Sequence, residues 1–503
     1  MTEVLGSGRQ HSFSRLVGRS ALLLAIASGA FIIPGMIRTK LSAVYFGEPG
    51  IALFGQLSQL QTLLISIGAA GLVTATRVVL SRPQNTSDQG ARLLSWCLWT
   101  PFLGSLVLAG FFALVGSAIS GLVLGSTSYG VEVALASLGI PFAVAGQISI
   151  AGAQARGKRG VLVIAAAGSA VVGSFAVWAL MSLGDQRLGA VSFVAAPMIQ
   201  LLFVLAVCAP VRRSVFRVPW INRQIFKEIF VIAWASALLA VCASAAELLS
   251  RTLIVQTHGL ASLAAYQPVA TLVTQLVSIA LSALATASLV ELSQVQDRLQ
   301  LGRIVTNLEK KFIPLMGLVC GLLLSASPIL VASFFNDSLW LVAYPLMVVS
   351  LAFEPVRAAV WLAGSAFLPN GMRMAWLVNG LVTVLAQVLL VVMLSPAVGV
   401  ISLSLGFAFA NVVSLVMTLA LLRRKGIVVG RSALVTPLIF AGLLVVFGLW
   451  DMKLLNAVVA GPLLYAVLLG LFILLMRWRQ RGRVESEDYS VASNAQSDER
   501  TYA

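Results

Sequence analysis

Long, unbroken apolar runs constrain the fold of this chain more than any other feature. About fourteen of them lie near residues 19–37, 51–74, 92–117, 131–153, 160–183, 188–210, 228–249, 262–288, 311–335, 340–366, 374–394, 398–422, 433–450 and 457–476. A helix that crosses a bilayer needs about 20 mostly apolar residues. The runs are continuous rather than alternating, which argues for helices and against a membrane β-barrel. Only 10% of the 503 residues are charged, where a soluble domain carries about 25%. The expected class is an all-α polytopic membrane protein. The first run is long, lacks a small-residue cleavage site and is followed almost at once by the second, so it reads as a span rather than a signal peptide.

Basic residues set the expected orientation. One side of the membrane holds only Arg38, Lys40, Arg187, Arg251 and Lys453, and Arg357 falls inside a span. The rest of the 34 Lys and Arg residues fall in the N-terminus, the alternate loops and the C-terminal tail. This bias places both termini in the cytoplasm. It also accounts for most of the net charge of +16, so no nucleic-acid partner is called for. Cys97, Cys208, Cys242 and Cys320 lie in apolar runs at unrelated spacings and read as packing residues. No metal-ligand pattern, Walker-type GxxxxGK[ST] sequence or Ser/His/Asp constellation stands out. The chain is expected to be neither an enzyme nor a cofactor or metal carrier.

The chain also reads as duplicated. EPGIALFGQLSQLQTLL after Gly47 echoes LASLAAYQPVATLVTQL after Gly259, with Ala52 facing Ala264 and Phe54 facing Tyr266. The shared offset predicts two six-helix bundles, 1–215 and 216–425, joined through the basic stretch Arg212–Lys227. Two further helices would occupy 426–480, and a polar acidic tail, 481–503, is expected to be disordered. Repeated halves around a midplane site are a common plan among secondary transporters.

Charges within such runs need a reason, because each costs about 2.5 kcal/mol or more at bilayer depth. Arg38 and Lys40 close the first run, with GEPG as the expected outer turn, and Arg77 closes the second. Glu247 and Arg251 are spaced to meet on one helix face. Glu354 and Arg357 flank Pro355 deep in the tenth run. Lys40, Arg77 and Glu291 have a second reading as snorkelling residues at helix ends, and Glu247 and Arg251 one as a self-neutralising pair. Taken together, Arg38, Arg77, Arg251 and Arg357 suit a phosphate or diphosphate, which guanidinium groups bind with paired hydrogen bonds. Gln56, Gln59, Gln61, Gln267, Gln275, Asn379 and Asn411 are candidates for sugar hydroxyls or for bonds between helices. Glu247, Glu291 and Glu354 are the candidates to carry a coupled proton.

Three blocks carry a family resemblance. They are YFGEPGIALFGQLSQLQTLLISIGAAGLVTATRVVLSR, YQPVATLVTQLVSIALSALATASLVELSQ and LMVVSLAFEPVRAAVWLAGSAFLPNGMRMAWLVNG. They resemble Wzx-type flippases of the O-antigen and lipid III group, over roughly residues 15–425. The resemblance implies the MATE-like fold of the MOP flippase superfamily, with two six-helix bundles in a V around a central cationic cavity. It implies an undecaprenyl-diphosphate-linked oligosaccharide as cargo, moved from the cytoplasmic to the periplasmic leaflet of the inner membrane. Polysaccharide polymerases or chain-length regulators are then the expected partners. Arg38, Lys40, Arg77 and Arg251 match the basic character of that cavity. Glu354 and Arg357 match an acidic and a basic position one turn apart. Gln56, Gln59, Gln267 and Asn379 are the positions left to contact the glycan. The two extra spans at 433–476 depart from the group and are shared with lipid II flippases. A cation-coupled multidrug exporter, or a lipid II flippase, of the same superfamily is the alternative. A membrane glycosyltransferase ranks lower, since the outer loops are short.

Overall fold

The computed structural model describes residues 4–81, 88–219, 221–277, 281, 298–335, 339–367, 372–430 and 432–453. Every regular element among them is helical. Helix α1 runs Val4–Ala69 and contains a single residue with non-helical backbone, Gly47, at φ 65° and ψ −158°. Its apolar part, Gly29–Ala69, has 41 residues. At 1.5 Å per residue that is about 60 Å, twice the hydrocarbon thickness. The helix must therefore bend, and it does so at the one residue type that tolerates this backbone. Phe46 and Phe54 would stand about 12 Å apart along a straight helix. Across the bend their rings stack with centroids 5.6 Å apart.

The expected outer turn is thus only this bend. Residues 38–46 continue the first helical arm, and Arg38 lies nine residues before Gly47 rather than in a loop. The second arm breaks at Ala70 and Gly71, both with positive φ, and resumes as α2, Leu72–Leu80. A side chain on Gly71 would collide with the backbone carbonyl of Ala233. Glycine there lets the second arm meet the tenth helix backbone to backbone.

The remaining first-half elements are α3 (Asp88–Leu114), α4 (Gly116–Leu124), α5 (Gly130–Leu138), α6 (Ile140–Ala155), α7 (Arg159–Met181), α8 (Gln186–Val207) and α9 (Ala209–Val215). Pro141 starts α6 and divides this span into α5 and α6, because a helix accepts proline in its first turn. Asp185 caps α8 by accepting from Arg187 N at 2.7 Å, and Asn222 caps the helix that follows, α10 (Arg223–His258), by accepting from Gln224 N at 3.1 Å. These caps satisfy donors that a helix start leaves open.

Helix α10 (Arg223–His258) ends at Gly259, whose φ is 82° and ψ 161°. Gly47 and Gly259, equivalent under the sequence offset, adopt similar backbone conformations. A 3₁₀ turn (Leu260–Tyr266) and a π turn (Val269–Gln275) follow. Next come α11 (Arg298–Phe334), α12 (Trp340–Gly364), α13 (Arg373–Val398), α14 (Ile401–Arg424) and α15 (Ser432–Lys453). Most of the run at 262–288, the run at 457–476 and the tail lie outside the described residues.

Two large apolar cores organise the molecule. One is drawn from residues between Ala27 and Val211, with Ile229, Ala233 and Leu248 of α10. The other is drawn from residues between Ile254 and Phe447, with Ile51 and Ala52 of α1. Helix α10 therefore serves both cores, and α15 packs into the second through Ala441, Leu444 and Phe447. Large apolar side chains such as Val107, Leu114, Val171 and Met393 point outward and are exposed. Ten segments among the described residues are long and apolar enough to cross a membrane, and the exposed apolar exterior suits lipid as its solvent. The chain is an all-α, multi-pass membrane protein. Its two ends are called below the Gly47 face and the Arg156 face.

Candidate functional site

Arg38 sits on the first arm of α1, half-buried. Its guanidinium lies 3.8 Å from the centroid of the Phe193 ring on α8. Among the described residues no carboxylate lies within ion-pair distance of it, and no acceptor takes its N–H groups. The ring beneath it continues a stack. Phe193 and Phe54 are 6.0 Å apart at 10°, and Phe54 and Phe46 are 5.6 Å apart at 6°. The backbone of Phe193 is itself held, because Gln61 Nε2 donates to its carbonyl at 3.0 Å and to that of Ala136 at 3.1 Å. Lys40, two residues on, is also half-buried but cannot share the face of Arg38.

Arg251 occupies the corresponding depth of α10, eight residues before Gly259, and its surroundings differ. Its Nε and Nη2 both reach Glu247 Oε1, at 2.9 and 2.8 Å. Gln387 Nε2 of α13 donates to Glu247 Oε2 at 3.1 Å, and Tyr266 OH donates to Oε1 at 3.4 Å. The Tyr266 ring also lies under the Arg251 guanidinium, 5.0 Å away. A four-residue polar cluster thus neutralises this cation. The i, i+4 spacing forecast the ion pair; Tyr266 and Gln387 come from other elements and were not foreseen.

Glu354 and Arg357 form a second buried couple on α12. Arg357 Nε stands 2.8 Å from Glu354 Oε2, and Arg357 faces the Phe407 ring at 5.6 Å. The contact lacks hydrogen-bond geometry, and Glu354 Oε1 and Arg357 Nη2 have no hydrogen-bond partner among the described residues. Glu354 is fully buried, so this pair retains unused donors and acceptors in a dry place, where such groups are costly.

Arg77 stands apart from the buried cations. Arg77 is exposed on α2, at the far end of the second arm from Gly47. Glu291 lies outside the described residues. Gln56 donates weakly to Thr252 Oγ1 at 3.3 Å and to the Val123 carbonyl at 3.4 Å. Gln59 donates to the Ser244 carbonyl at 3.4 Å, and Ser66 meets Ser244 Oγ at 3.1 Å. These contacts tie the second arm of α1 to α10. Asn379 donates to Ser414 Oγ at 3.1 Å between α13 and α14. The acceptors Gln56 Oε1, Gln275 Oε1 and Asn379 Oδ1 are buried with no hydrogen-bond partner among the described residues. Gln267 is buried against Gly55, where any side chain would overlap its amide. Positions 55 and 267 are separated by the repeat offset itself, so matched positions of the two similar stretches touch there.

Two buried carboxylates escaped the sequence reading. Glu132 of α5 is 4% exposed and Glu309 of α11 is 3% exposed. Glu132 Oε2 and both oxygens of Glu309 have no hydrogen-bond partner among the described residues. Glu309 is followed by Lys310 and Lys311, just ahead of the apolar run at 311–335. Arg156 shows the opposite use of a cation. It donates to the carbonyls of Pro210 at 2.8 Å and Gly90 at 3.3 Å, clasping α9 and α3 at the Arg156 face.

No family model and no curated protein matches this sequence. Solved structures do match in shape. The lipid II flippase MurJ, in an inward closed conformation, superposes with a TM-score of 0.67 at 14% identity, over 90% of this chain and 98% of that one. A MOP superfamily transporter from Pyrococcus furiosus gives a TM-score of 0.60 at 15% identity, over 81% and 96% of the two chains. The MATE multidrug transporter DinF-BH gives 0.61 at 14% identity, over 82% and 96%. With near-complete coverage of each neighbour, the fold of this chain is the one shared by the lipid II flippase MurJ and the MATE transporters of the MOP superfamily.

Proposed function

We propose that this protein is a flippase that moves an undecaprenyl-diphosphate-linked oligosaccharide from the cytoplasmic to the periplasmic leaflet of a bacterial inner membrane. The observation that carries the reading is Arg38, a half-buried cation held against an aromatic ring with its hydrogen-bonding edge unclaimed among the described residues. A membrane-embedded cation without a carboxylate calls for an anion. A diphosphate fits the in-plane fork of a guanidinium. Arg251, Arg357, Lys40 and Arg77 add basic character along the route, and Gln56, Gln59, Gln267 and Asn379 are the positions for the glycan. The polyprenyl tail would stay in lipid. The two halves, 1–215 and 216–425, would rock about the contact of Gly55 with Gln267, and Glu247, Glu291 or Glu354 would carry the coupled ion. The named activity of MurJ supports flipping as the reaction class. The glycan is taken as an O-antigen, common-antigen or exopolysaccharide unit, delivered to a polymerase and its chain-length regulator. Both termini would lie in the cytoplasm.

The test is reconstitution in liposomes with defined undecaprenyl-diphosphate glycans, reading leaflet transfer with and without a proton gradient. Transfer should require the diphosphate and should fail in Arg38→Ala. Transfer no faster than in protein-free liposomes, for every glycan offered and for lipid II, overturns the reading. A second reading, a cation-coupled multidrug exporter, draws on the buried carboxylates Glu132 and Glu309, which suit cationic drugs or protons. Drug accumulation in cells expressing the chain separates the two.

A further inference from the structure

The arrangement around Arg38 can be taken one step further, on the basis of the diphosphate reading above. A guanidinium has two distinct binding surfaces. Its faces attract the negative face of an aromatic ring, and its edge carries the N–H groups that bind oxyanions in plane. Phe193 takes one face of Arg38 and, being neutral, cancels none of its charge. A carboxylate partner would occupy the edge instead, as Glu247 does on Arg251.

Phe193 is fully buried and cannot follow Arg38 if it moves. Its carbonyl is held by Gln61, and Gly139 packs so tightly against that carbonyl that any side chain there would collide with it. Its ring is backed by Phe54, and Phe54 by Phe46. Those two phenylalanines come from opposite sides of the bend at Gly47. Gly189 leaves room for them, since a side chain at that position would press on Phe54, Met181 and Phe46. The stack therefore links the bend angle of α1 to the place where the Arg38 edge is presented.

We propose that Phe193 is a positioning residue, which holds Arg38 by its face so that its edge stays open to the substrate diphosphate, and that the Phe46–Phe54–Phe193 stack couples this placement to the Gly47 bend. Phe193 itself touches no substrate. Its contribution runs through the negative face of its ring, not through its volume alone.

That distinction gives the experiment. The full chain, in nanodiscs, is titrated with undecaprenyl diphosphate, with undecaprenyl monophosphate and inorganic diphosphate as separate arms. Residue 193 is replaced in turn by mono-, di- and trifluorinated phenylalanine, which keep the ring shape and progressively weaken its negative face. Arg38→Ala serves as the reference. The expected result is a stepwise loss of undecaprenyl diphosphate affinity, about 2- to 5-fold by the trifluorinated ring. Thermal stability should change little across the fluorinated series. If Arg38→Ala weakens binding but the fluorinated series is flat, Phe193 is packing only and the inference falls while the flippase reading stands. If Arg38→Ala binds like the unaltered chain, the assignment of the diphosphate to Arg38 falls with it. Should fluorination lower thermal stability in step with affinity, the ring is a structural element and the proposal is likewise overturned.

Discussion

Two stretches of this chain, Arg38–Gln56 and Arg251–Gln267, resemble each other in sequence and use their arginines in opposite ways. Each places an arginine eight or nine residues before a glycine of positive φ. Each sets that arginine over an aromatic ring, Phe193 in one case and Tyr266 in the other. The second stretch adds Glu247, one turn earlier on the same helix, and with it a carboxylate bound to the guanidinium edge. The corresponding part of the first reads Pro34–Gly35 and has no acid. Two similar stretches can thus share a local geometry while one carboxylate decides whether the cation is neutralised or left unpaired.

The largest expected effect tests the neutralised stretch. Arg251→Ala leaves Glu247 without its counter-charge in a mostly buried place and should cost about 3 kcal/mol of stability. Thermal unfolding in detergent measures it, and a Glu247→Gln, Arg251→Gln double variant should regain most of the loss. Arg38→Ala removes only a ring contact and should cost under about 1 kcal/mol in the same assay. Equal destabilisation by the two single variants would end the contrast.

Next in size is Gly189→Ala, which forces a methyl group against Phe54 and Phe46. Overpacking of this kind costs about 1–3 kcal/mol. Because the stack supports Arg38, affinity for undecaprenyl diphosphate should fall together with stability. Glu247→Gln then makes the second stretch resemble the first by freeing the Arg251 edge. Affinity for undecaprenyl diphosphate should rise about 5-fold, the equivalent of one net hydrogen bond near 1 kcal/mol. An unchanged titration would mean that Arg251 is out of reach of the ligand even when unpaired. The smallest effect belongs to the seam between α1 and α10. Gln59→Leu removes the bond to the Ser244 carbonyl and should cost about 0.6 kcal/mol, typical of a single interhelical bond in a membrane. A larger loss in thermal unfolding would show that the seam, rather than the apolar cores, joins α1 to α10.

The helical class was legible because lipid leaves the backbone almost no alternative, and the runs marked nearly every described span. Gly47 and Gly259 were legible as turns, but the extent of the turn was not. Arg38 and Lys40 were read as closing a span, since charge usually marks a border. The helix continues past them to Gly47, and Arg38 lies over the Phe193 ring. The Glu247–Arg251 pair followed from helical spacing alone. Phe193, Tyr266 and Gln387 did not, since each reaches the site from another element over a long sequence separation. Glu309 precedes two lysines, and only packing shows that it faces inward.

What the sequence determined by itself is everything that rests on short-range physics: apolar length, helical period, glycine at strained backbone, and the repeat that these features share. What only the tertiary structure decided is what else surrounds each buried charge. The carboxylate beside Arg251 comes from its own helix, but the Phe193 ring at Arg38 and the Gln387 amide at Glu247 arrive from other helices. Residues far apart in the chain are brought together by packing, and no local pattern encodes which of them will meet.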